Sequence, residues 1–491
     1  MTLAAITVIT ATTATTVTAT HTATNTPAGP AFSTLPLAPS QLANLSALGY
    51  VAMTPVQAAS LPLALAGDDL IVQAQTGSGK TAAFALALLD KLKLADPSPP
   101  FAVQALVLCP TRELADQVTT EIRRLARSVD NVKTLTLCGG VPLRQQTESL
   151  KHGAHVVVGT PGRVLDHLDR GALSLKALAT LVLDEADRML DMGFVEDIAR
   201  VAKLCPGTRQ TLLFSATYPQ GIVELAQRFL RAPKEIKVRS QVDAAQIEQR
   251  FYEVKESDRL QAVARLLLHF RPASTIAFCN TKQQCRDLVG MLCAQGFAAL
   301  ALHGELEQRE RDQVLIQFAN RSCSVLVATD VAARGLDIVQ LEAVINVDTT
   351  PDAPLHVHRI GRTGRVGATG LALSLASLDE MGSVGKIELL QGAEVKWYPL
   401  AELLPAPGGR LLPAMVTLQI VGGRKEKIRA GDVLGALTGE AGFAASQIGK
   451  INVNEFSTYV AVDRQIAAQA LARLSGGTVK GKKVKARRVQ E

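Results

Sequence analysis

Asp69-Leu-Ile-Val-Gln-Ala74-Gln-Thr76-Gly77-Ser78-Gly79-Lys80-Thr81 decides the fold: a strand-like apolar run, a glycine-bearing turn, and then the helical run Ala82-Ala-Phe-Ala-Leu-Ala-Leu-Leu. Gly77 and Gly79 let the backbone turn its N–H groups inward, and the helix N-terminus adds the positive end of a dipole. Lys80 can then reach the β- and γ-phosphates of a nucleotide, and Thr81 can ligate Mg²⁺. The strand before and the helix after separate this phosphate loop from an ordinary glycine-rich turn, although Ala74 stands where the strict pattern has Gly. Working outward, residues 31–239 alternate amphipathic helical stretches with short apolar runs: Ala105-Leu-Val-Leu-Cys, Ala154-His-Val-Val-Val-Gly, Thr180-Leu-Val-Leu-Asp and Gln210-Thr-Leu-Leu-Phe-Ser. Such alternation implies βαβ units and a parallel sheet covered on both faces.

The pattern pauses at 240–246 and repeats over residues 246–385, with Ser274-Thr-Ile-Ala-Phe-Cys, Ser324-Val-Leu-Val-Ala-Thr and Ala343-Val-Ile-Asn-Val among its strands. A second α/β lobe therefore follows the first. Residues 386–412 read as a linker, and residues 413–491 as a small α+β unit. Its strands fall by alternation at 415–420, 448–453, 458–462 and 484–489, its helices at 430–438 and 464–474. This βαββαβ order is that of an RRM-like domain.

Composition sets the bounds. A chain of 491 residues fits two or three domains, and 47% hydrophobic with 20% charged residues is globular. No uninterrupted apolar stretch is long enough to span a membrane. Residues 1–30, an Ala/Thr tract, lack a basic n-region and a compact apolar core, so they read as a disordered tail and not as a secretory signal. The seven cysteines are odd in number, scattered and without a CxxC pair, which fits reduced, buried thiols of a cytoplasmic protein. Residues 413–491 hold 13 Lys/Arg and 6 Asp/Glu, which leaves 39 of each in residues 1–412. The whole net charge of +7 is thus in the tail. A neutral body with a basic module is either a polyanion binder or a protein with a solubilising surface.

Asp184-Glu185-Ala186-Asp187 ends a buried-type strand, the place where ligands of parallel sheets sit. Alone it could be a helix cap. Beside a phosphate loop it reads as a metal and water site, with Asp184 holding Mg²⁺ and Glu185 orienting and deprotonating the attacking water.

These letters and their neighbours resemble the DEAD-box RNA helicase family over about residues 32–375. The resemblance implies two tandem RecA-like lobes and ATP as the nucleotide, with Phe32 stacking on adenine and Gln57 bonding its edge. Pro110-Thr111-Arg112, Gly140 and Thr160-Pro-Gly162-Arg163 match segments that hold the RNA backbone in the family, and Ser215-Ala-Thr217, with Asp187, matches the element that couples hydrolysis to RNA. In the second lobe, His358-Arg-Ile-Gly-Arg362-Thr-Gly-Arg365 implies Arg362 and Arg365 as arginine fingers and His358 as a coupling residue; such charge stabilisation can be worth about 10³ to 10⁵ in rate. Asp337 would contact the ribose, while Thr281, Gln308, Arg309, Thr329 and Asp330 would face RNA.

In the tail, Gly422-Gly-Arg424-Lys425-Glu-Lys427-Ile-Arg429-Ala-Gly-Asp-Val-Leu-Gly and the Lys480-Gly-Lys482-Lys stretch resemble the C-terminal domain of the DbpA group within this family. That group recognises a hairpin of 23S ribosomal RNA and acts in large-subunit (50S) assembly, so Arg424, Lys425, Lys427, Arg429, Lys480 and Lys482 are candidate RNA contacts. The sheet-face pattern of an RRM is only partly present: Tyr459-Val460 fits, but Glu455 stands at a basic position, which favours loop contacts. The expected protein is a monomeric ATP-dependent RNA helicase using ATP and Mg²⁺. Its rivals are a general RNA remodeller without rRNA specificity, a nucleotide-dependent RNA clamp, and a DNA translocase, the last disfavoured by the RRM-like tail.

Overall fold

The computed structural model describes residues 6–10, 29–74, 77–94, 101–129, 131–218, 220–238, 247–333, 341–364, 369–408, 411–440 and 442–489. The chain divides into two compact units, the first holding residues 1–241 and the second most of residues 242–491.

The first unit is built on one sheet of eight strands: β1 Ile6–Thr10, β2 Leu70–Gln73, β3 Ala105–Leu108, β4 Thr134–Leu137, β5 Val156–Gly159, β6 Thr180–Leu183, β7 Gln210–Ser215 and β8 Lys234–Val238. Their order is β1-β8-β2-β7-β6-β3-β5-β4, and every neighbouring pair except β1 with β8 is parallel. Successive residues of β3 point to opposite layers, Val107 toward Phe84 and Phe214, Leu106 and Leu108 toward Leu181 and Leu213. Both faces are therefore apolar, which is why the strands read as continuous hydrophobic runs. β1 departs from the expected featureless N-terminal tract. Its sequence, Ile-Thr-Val-Ile-Thr, is β-branched throughout and suits an antiparallel edge strand.

In the second unit β9 Ile247–Glu253, β10 Thr275–Cys279, β11 Ala299–Leu302, β12 Val325–Thr329, β13 Ala343–Asn346 and β14 Gly370–Ala376 form an all-parallel sheet in the order β11-β12-β10-β13-β14-β9. The expected linker is largely part of this lobe. The helix Met381–Gln391 runs into it, and the chain beyond hydrogen-bonds to β9, Phe251 N–H to the Lys396 carbonyl (2.9 Å) and Tyr398 N–H to the Phe251 carbonyl (2.8 Å). Trp397, Tyr398 and Leu403 supply apolar surface that a free linker would leave in water.

The C-terminal domain has the strands β15 Met415–Val421, β16 Ile448–Val453, β17 Ser457–Asp463 and β20 Lys485–Arg488, with a small hairpin of β18 Thr478–Val479 and β19 Lys482–Lys483. The main sheet is antiparallel in the order β16-β17-β15-β20, the RRM arrangement. Its helices are Ala430–Gly435, continued by a wider turn Ala436–Glu440, and Ala467–Gly476. The second helix starts three residues later than the spacing predicts, because the Asp463 carboxylate accepts from Gln465 N–H (2.8 Å) and holds a turn there. One sheet face, Val416, Leu418, Ile420, Val460 and Val462, packs on these helices. The opposite face lies against the second lobe: Thr417 Oγ1 is 2.7 Å from Ser322 Oγ and 3.2 Å from Asn320 Nδ2, and Gln313 donates to Tyr459 Oη at 3.4 Å.

Candidate active site and RNA-binding surface

The central strands β2, β7, β6 and β3 end together, and their carboxyl ends carry the phosphate loop, Ser215, Asp184 and Pro110, as expected of an open parallel sheet. Ala74 N–H donates to the Ser215 carbonyl (3.0 Å) and Asp184 N–H to that of Leu108 (3.0 Å), so all four loops are tied to the sheet. Gly77 has φ 80° and Gly79 φ 92°. A side chain at Gly79 would be strained at that angle and its Cβ would lie 2.6 Å from Gln57 Nε2. The helix Lys80–Asp90 starts there, its first N–H groups unpaired within the helix and able to face an anion. Lys80 is buried and donates to the Ala74 carbonyl at 2.7 Å; Ser78 and Thr81 are half-buried beside it.

Gln57 sits at this loop and not away from it. Its side chain accepts from Thr54 N–H (2.9 Å) and donates to the Gly79 carbonyl (3.2 Å), closing a capping box at the helix Pro55–Ala66. Phe32 is only 4% exposed, with Tyr50 edge-on at 6.0 Å between centroids, so adenine stacking would require uncovering a ring face.

Asp184, Glu185 and Asp187 are all buried but have three different environments. Burial pushes the Asp184 carboxyl up to about 7; Lys80 pulls it down and Glu185 pushes it further up. A divalent cation there would favour its ionised form, and Thr81 stands at the same loop, so the residues fit Mg²⁺. Glu185 has left-handed backbone (φ 53°), unusual for a non-glycine residue and typical of strained functional turns. Its carboxylate is paired with Arg188 at 2.7 Å, both side chains buried. Arg188 was missed by motif reading, though a Glu and an Arg three apart at a helix start are a recognisable pair. Asp187 reaches the turn after β7: its Oδ2 accepts from Ala216 N–H (3.2 Å), Thr217 N–H (2.8 Å) and Thr217 Oγ1 (2.9 Å), while Ser215 Oγ donates to the Thr217 carbonyl (2.6 Å). The structure therefore brings Asp187, Ser215 and Thr217 together.

Thr111 and Thr160 each precede a helix, Arg112–Leu125 and Pro161–Asp169, and Pro110 is buried. Gly140 is exposed with φ 76°, and Gly162 is half-buried. Arg112 pairs with Asp116 at 3.7 Å. Arg163 donates to the Val141 carbonyl and to Gln146 Oε1, both at 2.9 Å; His167 Nε2 lies 3.1 Å from the same oxygen, and Gln146 donates to the Cys138 carbonyl (2.9 Å). Gln146 and His167 thus position Arg163 and the Gly140 turn from beneath. They gave no sequence signal, because the partners are 17 and 21 residues from Gln146 and meet only through the packing of two helices.

In the second unit Thr281 caps the helix Lys282–Ala294, accepting from Gln284 N–H at 3.1 Å, and Arg309 is exposed. Gln308 donates to Asp312 (2.8 Å). Thr329 ends β12, and Asp330 is committed to protein: it pairs with buried Arg359 through both oxygens at 2.8 and 2.7 Å. Arg359 also donates to the Asp348 carbonyl (2.8 Å) and lies over Phe278, so it is the hub of the motif and not one of its outward arginines. Arg362 is buried and His358 half-buried; Thr76, Asp337 and Arg365 lie outside the described residues. None of the seven cysteines forms a disulfide and six are buried, but Cys293 is exposed, contrary to expectation. Among the described residues no helix is long and apolar enough to cross a membrane.

Three family models match: DEAD/DEAH box helicase over residues 54–225, helicase conserved C-terminal domain over 258–367, and DbpA RNA binding domain over 417–488. The chain is 52% identical to the ATP-dependent RNA helicase DbpA of Escherichia coli (strain K12), over 93% of its own length and 99% of that protein. The chain belongs to the DEAD-box RNA helicases. The helicase is also 43% identical to the DEAD-box ATP-dependent RNA helicase CshA of Geobacillus kaustophilus, over 73% of this chain and 76% of that one. Its fold matches the structure of S. cerevisiae Dbp5 bound to RNA and ADP BeF3 with a TM-score of 0.69 and 31% identity, covering 76% of this chain and 96% of that one. It is thus an ATP-dependent RNA helicase with a DbpA-type RNA-binding domain.

In that domain the helicase keeps its basic residues on loops. Arg424, Lys425, Lys427, Arg429, Lys480 and Lys482 are all exposed, and Lys480 Nζ donates to the Lys427 carbonyl at 2.9 Å, joining the loop after β15 to the hairpin. Tyr459 on the sheet face is 3% exposed, and Gln419 and Gln313 both donate to its hydroxyl. Among the described residues the sheet face therefore has no open aromatic.

Proposed function

We propose that this helicase remodels ribosomal RNA in large-subunit assembly, delivered to a 23S rRNA hairpin by its C-terminal domain and driven by ATP hydrolysis in its first lobe. The observation that carries the mechanism is the Asp187 latch. One carboxylate ties the Asp184-Glu185 turn to the Ser215–Thr217 turn, so a shift at the RNA-facing loops is felt where water must be positioned. Coupling of this kind needs contiguous contacts, and a half-buried, charge-assisted contact between the two turns supplies one.

In this reading the Gly77–Lys80 backbone and the Lys80 ammonium hold the phosphates, and Glu185 orients the attacking water once its pairing with Arg188 loosens. Thr81 and Asp184 would hold Mg²⁺, which would neutralise charge on the phosphoryl oxygens. Thr76, Phe32 and Gln57 complete the nucleotide pocket, Asp337 meets the ribose, and Arg362 and Arg365 of the second lobe face the γ-phosphate. Pro110, Thr111, Arg112, Gly140, Thr160, Gly162, Arg163, Thr281, Gln308, Arg309 and Thr329 follow the RNA backbone; Asp330 acts through Arg359. His358 joins the coupling set. The helicase works as a monomer in the cytoplasm, where cysteines held outside disulfides are at home.

The test is the steady-state ATPase rate, at fixed salt, with an rRNA fragment containing the hairpin, with unrelated RNA and with single-stranded DNA. Strong stimulation by the hairpin fragment alone is the expected result. Equal stimulation by any RNA removes the rRNA specificity, and no stimulation favours a clamp. Glu185→Gln should abolish turnover; an unchanged rate refutes the role given to Glu185.

A further inference from the structure

The C-terminal domain has lost the surface on which RRM-like sheets usually stack bases. Thr417 and Tyr459 are 2% and 3% exposed, and the polar side chains Gln313, Asn320 and Ser322 of the second lobe are bonded to them. A loop of the same domain carries an aromatic that faces solvent. Phe456, between β16 and β17, is 64% exposed, although a buried position would stabilise the fold by burying its ring. The Lys425 ammonium lies 5.7 Å from the ring centroid.

The backbone that carries this ring is held. The loop after β15 is bonded to the Phe456 loop along its backbone: Gly422 N–H donates to the Phe456 carbonyl (3.0 Å), Arg424 N–H to Asn454 (2.9 Å) and Lys425 N–H to Glu455 (3.0 Å). The contact is so close that a Cβ on Gly423 would overlap the Asn454 and Glu455 carbonyls. Exposed Arg424, Lys427 and Arg429 belong to the segment after β15, and Lys480 and Lys482 to the hairpin tied to Lys427. The carboxylates among them are already engaged: Glu455 with Lys425 (3.3 Å), Asp432 with Lys480 (3.8 Å) and Glu426 with Gly423 N–H (2.7 Å).

We propose that Phe456 is a stacking platform for an unpaired RNA base, flanked by loop lysines and arginines that take the adjoining phosphates. Stacking on an aromatic tolerates any base, and paired bases cannot reach such a ring, so the platform selects single-stranded or loop nucleotides over duplex. The cations supply sequence-independent affinity and the ring supplies the preference for unpaired bases. This inference rests on reading the tail as the RNA-targeting module.

The experiment uses the full chain, a hairpin RNA with 2-aminopurine in its unpaired loop, and a fully paired duplex of matched length, with affinity followed by anisotropy across a salt series. Phe456→Ala should weaken hairpin binding by about ten-fold, as loss of one stacked base predicts, and remove the 2-aminopurine quenching without changing the salt slope. Phe456→Tyr should restore both signals, and duplex binding should be indifferent to either variant. Arg424→Gln with Lys482→Gln should instead weaken both RNAs and flatten the salt slope. Hairpin affinity and quenching unchanged in Phe456→Ala overturn the platform, as does an equal loss for duplex. If the charge variant also binds hairpin and duplex like the parent, the reading of the tail as the RNA module fails as well.

Discussion

Replacing Asp187 by Ala removes the acceptor for three donors on the turn after β7, Ala216 N–H, Thr217 N–H and Thr217 Oγ1. Hydrogen bonds to a charged group contribute about 1.5 to 3 kcal/mol each, and three on one oxygen add less than their sum. Ala216 and Thr217 are half-buried, so water can replace part of the loss. A net cost of about 3 to 4 kcal/mol to the closed turn follows, which is two to three orders of magnitude in its opening equilibrium. Thr217→Val removes only the hydroxyl, one of the three donors, and should cost about 1 to 2 kcal/mol. Amide hydrogen exchange at residues 216–217 reads the turn directly, and the ratio of RNA unwinding to ATP hydrolysis reads its use. Asp187→Ala should raise exchange by roughly a hundred-fold and lower the unwinding yield per ATP; Thr217→Val should do each about ten-fold more weakly. Unchanged exchange in Asp187→Ala, or equal effects of the two substitutions, would refute the claim that the carboxylate organises the turn through its backbone.

Two further outcomes are expected. Burial beside Phe251, with Arg359 nearby, pushes the His356 imidazole down to about 4, and its Nδ1 has no partner to receive an added proton's hydrogen bond. Because the folded value lies below the unfolded one, the stabilisation is complete above about pH 6.5 and is lost as pH falls toward about 4, a change of about 3 kcal/mol. The urea midpoint of the second lobe should fall over that window, and fall clearly less in His356→Gln, which leaves His303 as the other buried imidazole shifted down; an equal pH slope in both proteins sinks the assignment. Thr417→Arg places a long cation where the hydroxyl is 2% exposed and bonded to Ser322 and Asn320, so the domain should detach from the second lobe. Protease cleavage near residues 405–412 should rise several-fold, with the ATPase lobes intact; unaltered cleavage would mean that this contact does not hold the domain.

Much of this protein follows from local sequence. The phosphate loop, Asp184, Glu185 and the parallel sheets are legible because strand, turn and helix signals adjoin the residues that need them, within one βα unit each. Even Arg188 lies within a helical turn of its partner Glu185. What tertiary structure alone decided are meetings between distant segments. Asp187 finds Thr217 thirty residues away because β6 and β7 are neighbours in the sheet, and Gln146 supports Arg163 because two helices pack below it. The linker becomes part of the second lobe because Trp397 and Tyr398 find apolar partners on β9 and nearby residues. Tyr459 fits an RNA-stacking motif by its letters, yet packing against Gln313 closes it, while Phe456, which matched no motif, stays open. Sequence fixes which side chains can do chemistry; which of them remain reachable depends on what the rest of the chain covers, and burial is a property of the whole fold.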